Sequence, residues 1–396
     1  MFLSRFICLI LARANPPFYL HFLMRTRPNY IHKMEFINQT TGKVEIMSNL
    51  KKVTLALAAV VACTNAQAID LVTNGDTTLS VGGYVKAEGV FRSPDDQDSD
   101  FEGSARESRI NVKATTLVDD KKVTGFIEGD FYGDYKGYDS GTPELRLRHA
   151  YLQVDKVTAG KTWSGQFFAV APRLTEQLDF YGTGFGTIAG SGLYVRPDLT
   201  LHYANKGLRV TAQDPISDDA DLPDMVVSYS DNISNFGYTL AATARDTNTG
   251  IDDELDTELG LGVSLATKLT LGKGSLHGSV YTGEGMGVYS GVCTTGALNP
   301  GNTLSCDAEN GELVSQTGFT VGYRHVFSPK LRGNMRYGEV NVDNEADTSI
   351  DIKSANLIYT YLPNLDIGVE WRDRSETTLP WRQKGQEVEV MAKYSF

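Results

Sequence analysis

Cysteine is scarce in this chain: four in 396 residues, of which only Cys293 and Cys306 lie beyond residue 68. These two stand in a polar Gly/Asn/Thr stretch with no histidine beside them, which argues against a metal site. A disulfide closing a small loop in an exported protein is the expectation. Histidine is also sparse. His149, His202, His277 and His325 remain beyond residue 68, none in a Gly-x-Ser-x-Gly or His-Glu-x-x-His arrangement, so catalysis is not expected. No glycine run opens a helix as a phosphate cradle, and no cofactor is expected. Long apolar runs are missing too: nothing beyond residue 68 approaches the ~20 residues of a membrane-crossing helix. Positive charge is in deficit. The first 68 residues hold 8 of the 37 Lys/Arg and 2 of the 49 Asp/Glu, so the remainder has 29 against 47, a net charge of −18. That balance argues against nucleic acid as a partner.

The N-terminal region reads as a leader. Met47-Ser-Asn-Leu-Lys-Lys52 is a charged n-region, residues 53–62 are a short apolar run, and Ala66-Gln67-Ala68 is a small-x-small cleavage pattern. Residues 47–68 are therefore expected to be a signal peptide, with Ile69 the new N-terminus and 69–396 a single domain. Residues 1–46 are read as an over-extended start, a genuine extension being the alternative. Val60-Val-Ala-Cys63 offers a competing lipoprotein box, with Cys63 lipidated.

What recurs along the rest of the chain is period two. In Leu365-Asp-Ile-Gly-Val-Glu-Trp-Arg372 the residues Leu365, Ile367, Val369 and Trp371 fall on one side; Asp366, Glu370 and Arg372 fall on the other. Ile110 and Val112 alternate with Arg109, Asn111 and Lys113. Phe319, Val321 and Tyr323 alternate with Thr320 and Arg324. Residues 350–361 change phase near Ser354, where a bulge is expected.

Sixteen strands are predicted, beginning near Leu79, Glu107, Lys121, Glu144, Val157, Leu199, Leu208, Met225, Phe236, Thr257, Ser275, Leu313, Leu331, Ile350, Leu365 and Glu387. Short connections such as Asp119-Asp120 and Pro363-Asn364 alternate with long polar ones at 92–106, 133–143, 163–197, 214–224 and 284–312. Brief periplasmic turns and long outer loops produce that alternation. The last strand, Val388-Glu-Val-Met-Ala-Lys-Tyr-Ser-Phe396, keeps its apolar face to the end and finishes on an aromatic. It resembles the signal read by the barrel-assembly machinery of outer membranes. The predicted fold class is thus all-β: a closed transmembrane antiparallel barrel in a Gram-negative outer membrane, its outer face against lipid. Tyr84, Tyr203, Tyr229, Tyr238, Tyr323, Tyr337, Tyr394 and Phe396 lie near strand ends and are expected to form aromatic girdles. The 163–197 connection is unusually aromatic and glycine-rich, which predicts a loop folded into the lumen as a constriction; packing at a subunit contact is the alternative.

The polar faces carry Arg109, Lys113, Arg209, Arg324, Arg332, Arg336, Arg372 and Arg374, with Arg146 and Arg148 alternating in Leu145-Arg-Leu-Arg148. Much of the acidic excess sits in loops. A basic lumen wall would favour anions. The same Arg could instead pair with Glu107, Glu128, Asp130, Glu370 and Glu389, leaving little net field, and composition leaves both readings open.

Four blocks carry a resemblance: Arg106-Glu-Ser-Arg-Ile-Asn-Val-Lys113, Ile127-Glu-Gly-Asp-Phe-Tyr-Gly133, Leu145-Arg-Leu-Arg-His-Ala-Tyr151 and Ala159-Gly-Lys-Thr-Trp-Ser164. In order and spacing they resemble successive segments of the DcaP-like porins, and Asp179-Phe-Tyr-Gly182 to Arg196-Pro197 resembles the next segment of that family. The match spans about a third of residues 69–396. It departs at Ser164-Gly-Gln-Phe167, and residues 69–78 hold no heptads of the N-terminal coiled coil some members carry. The resemblance implies a homotrimer that passes small organic anions such as dicarboxylates, with Arg106, Arg109, Arg146 and Arg148 among the pore-lining positions, and it tips the balance towards anions. The rival readings are a non-selective or cation-preferring porin, an outer-membrane enzyme, and a plugged structural barrel.

Overall fold

Alternating apolar and polar residues can satisfy lipid and water at once only as strands, and only a closed sheet leaves no backbone edge in hydrocarbon. The computed structural model describes residues 68–95, 97–133, 143–178, 196–215, 220, 222–250, 256–290, 307–375 and 384–396. In chain order its first strands are β1 (Ile69–Asn74), β2 (Thr77–Pro94), β3 (Asp100–Ser104), β4 (Arg109–Val118), β5 (Lys121–Asp130), β6 (Arg146–Val154) and β7 (Val157–Lys161). Next come β8 (Thr200–Asn205), β9 (Leu208–Gln213), β10 (Asp224–Ile233), β11 (Phe236–Asn248), β12 (Thr257–Leu271) and β13 (Gly274–Glu284). The rest are β14 (Ala308–Glu309), β15 (Glu312–Leu313), β16 (Ser315–Ser328), β17 (Leu331–Asp343), β18 (Ser349–Leu362), β19 (Leu365–Arg374) and β20 (Gly385–Ser395).

Sixteen of these close a barrel: β2, β4 to β13, and β16 to β20, each antiparallel to its neighbours. The seam joins last to first, from Tyr84 opposite Ser395 to Pro94 opposite Gly385. Beyond the strand end, Phe396 and Gly83 exchange both main-chain hydrogen bonds at 3.0 Å. All sixteen barrel strands begin within two residues of their predicted starts. Short turns force the backbone into the left-handed region, and the sequence supplies residues that tolerate it: Asp119 and Asp120 have φ of 48° and 61°, as a type I′ turn requires.

Burial follows period two with the soluble-protein pattern reversed. On β12, Leu261, Val263 and Leu265 are exposed to the lipid side while Gly262, Ser264 and Ala266 are buried. The interior is lined with Thr, Ser, Arg, Glu and His. Tyr203, Tyr229 and Tyr394 lie exposed on the outside towards the short-turn end, and Tyr229 and Tyr238 are 6.5 Å apart, as a girdle demands. Tyr84 departs from that expectation. It faces inward, with the Arg109 guanidinium 5.1 Å from its ring.

Three further sequence expectations need correction. The 92–106 segment is not all loop: β3 pairs with the upper half of β2, Phe91 meets Phe101 at 4.6 Å, and Arg92 binds Asp100 and Glu102. β1, not anticipated, pairs with Thr77–Val81 of β2, just past the end of β20. Near Ser354 there is no bulge; β17 and β18 pair without a shift from Asn341–Ser349 to Leu331–Tyr359. Ile350 and Ile352 point inward because they join Tyr281, Met286, Tyr289 and Val340 in an apolar cluster inside the barrel mouth.

Candidate permeation pathway

The inner wall divides into two arcs. Along β9 to β20 runs the start of the 163–197 connection, here termed the strap. His202 fixes where it leaves the wall, its Nε2 at 3.0 Å from the Trp163 carbonyl and its Nδ1 at 2.7 Å from Thr211 Oγ1. Ser164 then caps helix α1 (Gly165–Val170), its hydroxyl accepting from the Phe167 N–H at 3.1 Å. Trp163 and Phe167 stack at 3.9 Å. Ala169, Val170 and Leu174 pack on Ala241 and Ala266 of β11 and β12.

Past the helix, each strap residue meets a successive strand. Arg173 donates to the Asp231 and Tyr238 carbonyls and to Asn232, and its own carbonyl lies 2.6 Å from His277 Nδ1. Glu176 accepts two bonds from Arg332, at 2.8 and 2.7 Å, with Arg324 at 3.6 Å. Burial works against the Glu176 carboxylate, but the bonds and charge of Arg332 outweigh it and hold the group below its ordinary range. Gln177 reaches Ser354 and Arg336, and the Leu178 N–H donates to Glu370. The wall makes room by lacking side chains where the strap passes. A Cβ on Gly322 would stand 2.8 Å from Thr175, and one on Gly368 would stand 2.6 Å from Leu178. The inward fold of this connection is therefore built into both partners. Residues 179–195 lie outside the described residues.

The other arc, β19 through β2 to β6, carries a chain of ion pairs. Arg374 binds Glu387; Arg372 binds Glu387, Glu370 and Glu389; Lys86 binds Glu389, Glu88 and Glu107. Further round, Arg148 and Arg146 share Asp130, Arg148 also meets Glu128, and Arg109 lies 3.9 Å from Glu128.

The predicted residues thus fall into groups. Arg109, Arg146 and Arg148 are brought together around Glu128 and Asp130. Arg372 belongs to the network across the seam. Arg324 and Arg336 stand under the strap, Lys113 faces inward two residues below Asn111, and Arg106 occupies the turn joining β3 to β4. Pairing with acids, one of the two readings open from composition, prevails for Arg148 and Arg372. Sequence reasoning overlooked Lys86, although alternation in Tyr84-Val-Lys-Ala-Glu88 marks it as inward. It also overlooked Arg245, fully buried, which donates to Asp307 and to the Gly285 carbonyl at 2.7 Å each. Arg245 anchors the two ends of the 284–312 connection inside the mouth, where a short helix α2 (Gly287–Ser290) places Tyr289 against Asp224 and Gln213. Cys293 and Cys306 lie outside the described residues.

Relatives share this architecture. No family model matches the chain. Outer membrane protein U of Vibrio parahaemolyticus is 26% identical over 315 residues, 72% of this chain and 88% of its own length. The crystal structure of the outer membrane channel DcaP of Acinetobacter baumannii superposes with a TM-score of 0.64 at 20% identity, over 82% of this chain and 99% of that one. An anion-selective porin from Comamonas acidovorans has the same fold, with a TM-score of 0.57 at 11% identity, over 81% and 100% of the two chains. The resemblance read from four sequence blocks agrees with the fold. Barrel topology and these likenesses together give this chain the closed sixteen-stranded antiparallel architecture seen in the outer membrane channel DcaP.

Proposed function

We propose that the channel passes small hydrophilic solutes with a preference for organic anions such as dicarboxylates, as a homotrimer exported by a cleaved signal peptide at 47–68. The observation that carries the preference is the state of two cations on the arc running from β2 to β6. Arg109 contacts an acid only at 3.9 Å, and Lys113 has no acidic partner among the described residues. Such charges remain available to an ion shedding part of its hydration. Arg106, Arg148, Arg324, Arg336 and Arg372 complete the pore-lining set, the paired ones by positioning acids and neighbours. A cation-preferring or non-selective channel is the second reading, and the carboxylates Glu128, Asp130, Glu370, Glu387 and Glu389 on the same arc favour it. A Cys293–Cys306 disulfide would staple the outer loop, and Phe396 would be read by the barrel-assembly machinery.

Reversal potential across planar bilayers in a potassium chloride gradient tests the preference. Chloride-selective current in steps of three is expected, and Arg109→Gln with Arg148→Gln should move the potential towards zero. Potassium selectivity in the unaltered protein, or a potential unmoved by the double variant, would sink the proposal.

A further inference from the structure

The strap's underside points to a second feature of the lumen. Lys268 of β12 lies opposite Gly237 of β11 and His277 of β13, and His277 lies opposite Gly322 of β16. Arg173 crosses this row at Gly237, where a Cβ would collide with its Nη1, and Thr175 crosses it at Gly322. Ala266, two residues nearer the mouth than Lys268, is covered by the strap helix. Lys268 and Arg324 therefore emerge just on the short-turn side of the strap, within electrostatic reach of each other and of Arg173.

Among the described residues, none of the three cations is committed to a carboxylate of its own. Lys268 has no ion-pair partner there. Arg173 donates to carbonyl oxygens, Asn232 and Thr239. Arg324 approaches Glu176 at 3.6 Å, and that carboxylate already accepts two shorter bonds from Arg332. Three like charges on one face repel one another unless an anion joins them, and a shared oxyanion would turn that repulsion into attraction.

We infer that Arg173, Lys268 and Arg324 form an oxyanion-binding site on the short-turn side of the strap, taking a compact phosphate or carboxylate group. The site deepens the anion-preferring reading above and rests on it; it shares Arg324 with the pore-lining set but does not depend on Arg109 or Lys113. An anion that clears the strap has a second resting point before release.

The test is calorimetric titration of the purified protein in detergent at low ionic strength with sodium phosphate, alongside reversal potentials on the same samples. One phosphate per chain is expected. Lys268→Gln and Arg324→Gln should each weaken its Kd about tenfold, Arg324→Lys should restore much of the loss, and Lys122→Gln, exposed at the start of β5, should change nothing. Heat-modifiable mobility in gels confirms that each variant is a folded barrel. Unchanged Kd in both Gln variants overturns the site, and so does loss of binding on Arg109→Gln alone, which would put the phosphate on the opposite arc. Binding that depends on Lys268 in a channel showing no chloride preference would uphold the site and refute the general anion reading.

Discussion

Replacing Glu176 by Gln should loosen the strap without disturbing the barrel. In the folded protein Glu176 accepts two bonds from Arg332 and sits near Arg324, while Arg332 also holds Asp366 at 2.8 Å. Hydrogen bonds to charged groups contribute ~1.5–3 kcal/mol each. Here the two side chains are 26% and 17% exposed, and Asp366 keeps Arg332 partnered after the change. Water screening and that remaining partner place the net loss at ~2 kcal/mol. At 1.4 kcal/mol per factor of ten, the undocked fraction of the strap rises about thirty-fold. Hydrogen exchange read by mass spectrometry on peptides covering 171–178 should show protection falling by that factor, with β16 to β19 unchanged. Single-channel records should gain flicker between conductance levels. Protection within about threefold of the unaltered protein would refute the assignment of Glu176 as the main tether.

Three other outcomes are expected from the same geometry. Because the Glu176 pKa is depressed in the folded state, its tether is complete above the ordinary carboxylate value near ~4.3 and is lost as pH falls through the lower folded value. Strap protection should therefore stay flat from pH 7 to about 5 and drop below that, and the drop should vanish in Glu176→Gln; a fall beginning near pH 6 would point to another group. Gly368→Ala places a methyl 2.6 Å from Leu178 and should displace the strap's far end, raising exchange there severalfold with barrel melting unchanged; equal protection would mean that the wall relaxes instead. Removing Phe396 deletes both main-chain bonds to Gly83 and should cut the yield of heat-modifiable barrel several-fold in refolding assays, whereas full yield would show that the seam closes without it.

The barrel was legible because its alternation is set by lipid on one side and water on the other, and strand starts agreed to within two residues. The strap was legible from composition: Trp163, Phe167 and Phe168 beside glycine have no reason to face bulk water. Its track along the wall was not, since Gly322 and Gly368 reveal their purpose only when Thr175 and Leu178 lie against them. The phase of β18 was misread for a related reason. Ile350 and Ile352 look outward by hydropathy, but the ends of the 284–312 connection fold into the mouth and give them an apolar neighbourhood within the barrel. Charge was the least legible property. Sequence locates Arg148 and Arg372 on the inner face but cannot tell whether Asp130 or Glu389 lies across the next strand.

The ion pairs across the seam have a consequence for biogenesis. Lys86 on the first barrel strand binds Glu389 on the last, and Arg372 on the penultimate strand grips the same carboxylate. A slip of one residue as β20 zips onto β2 would turn one strand's charges outward, where a Lys or Arg costs ~2–4 kcal/mol at the bilayer midplane. The join thus reads its own alignment by charge. Ion pairs buried along the inner wall of the finished barrel would, during insertion, favour one register over its neighbours.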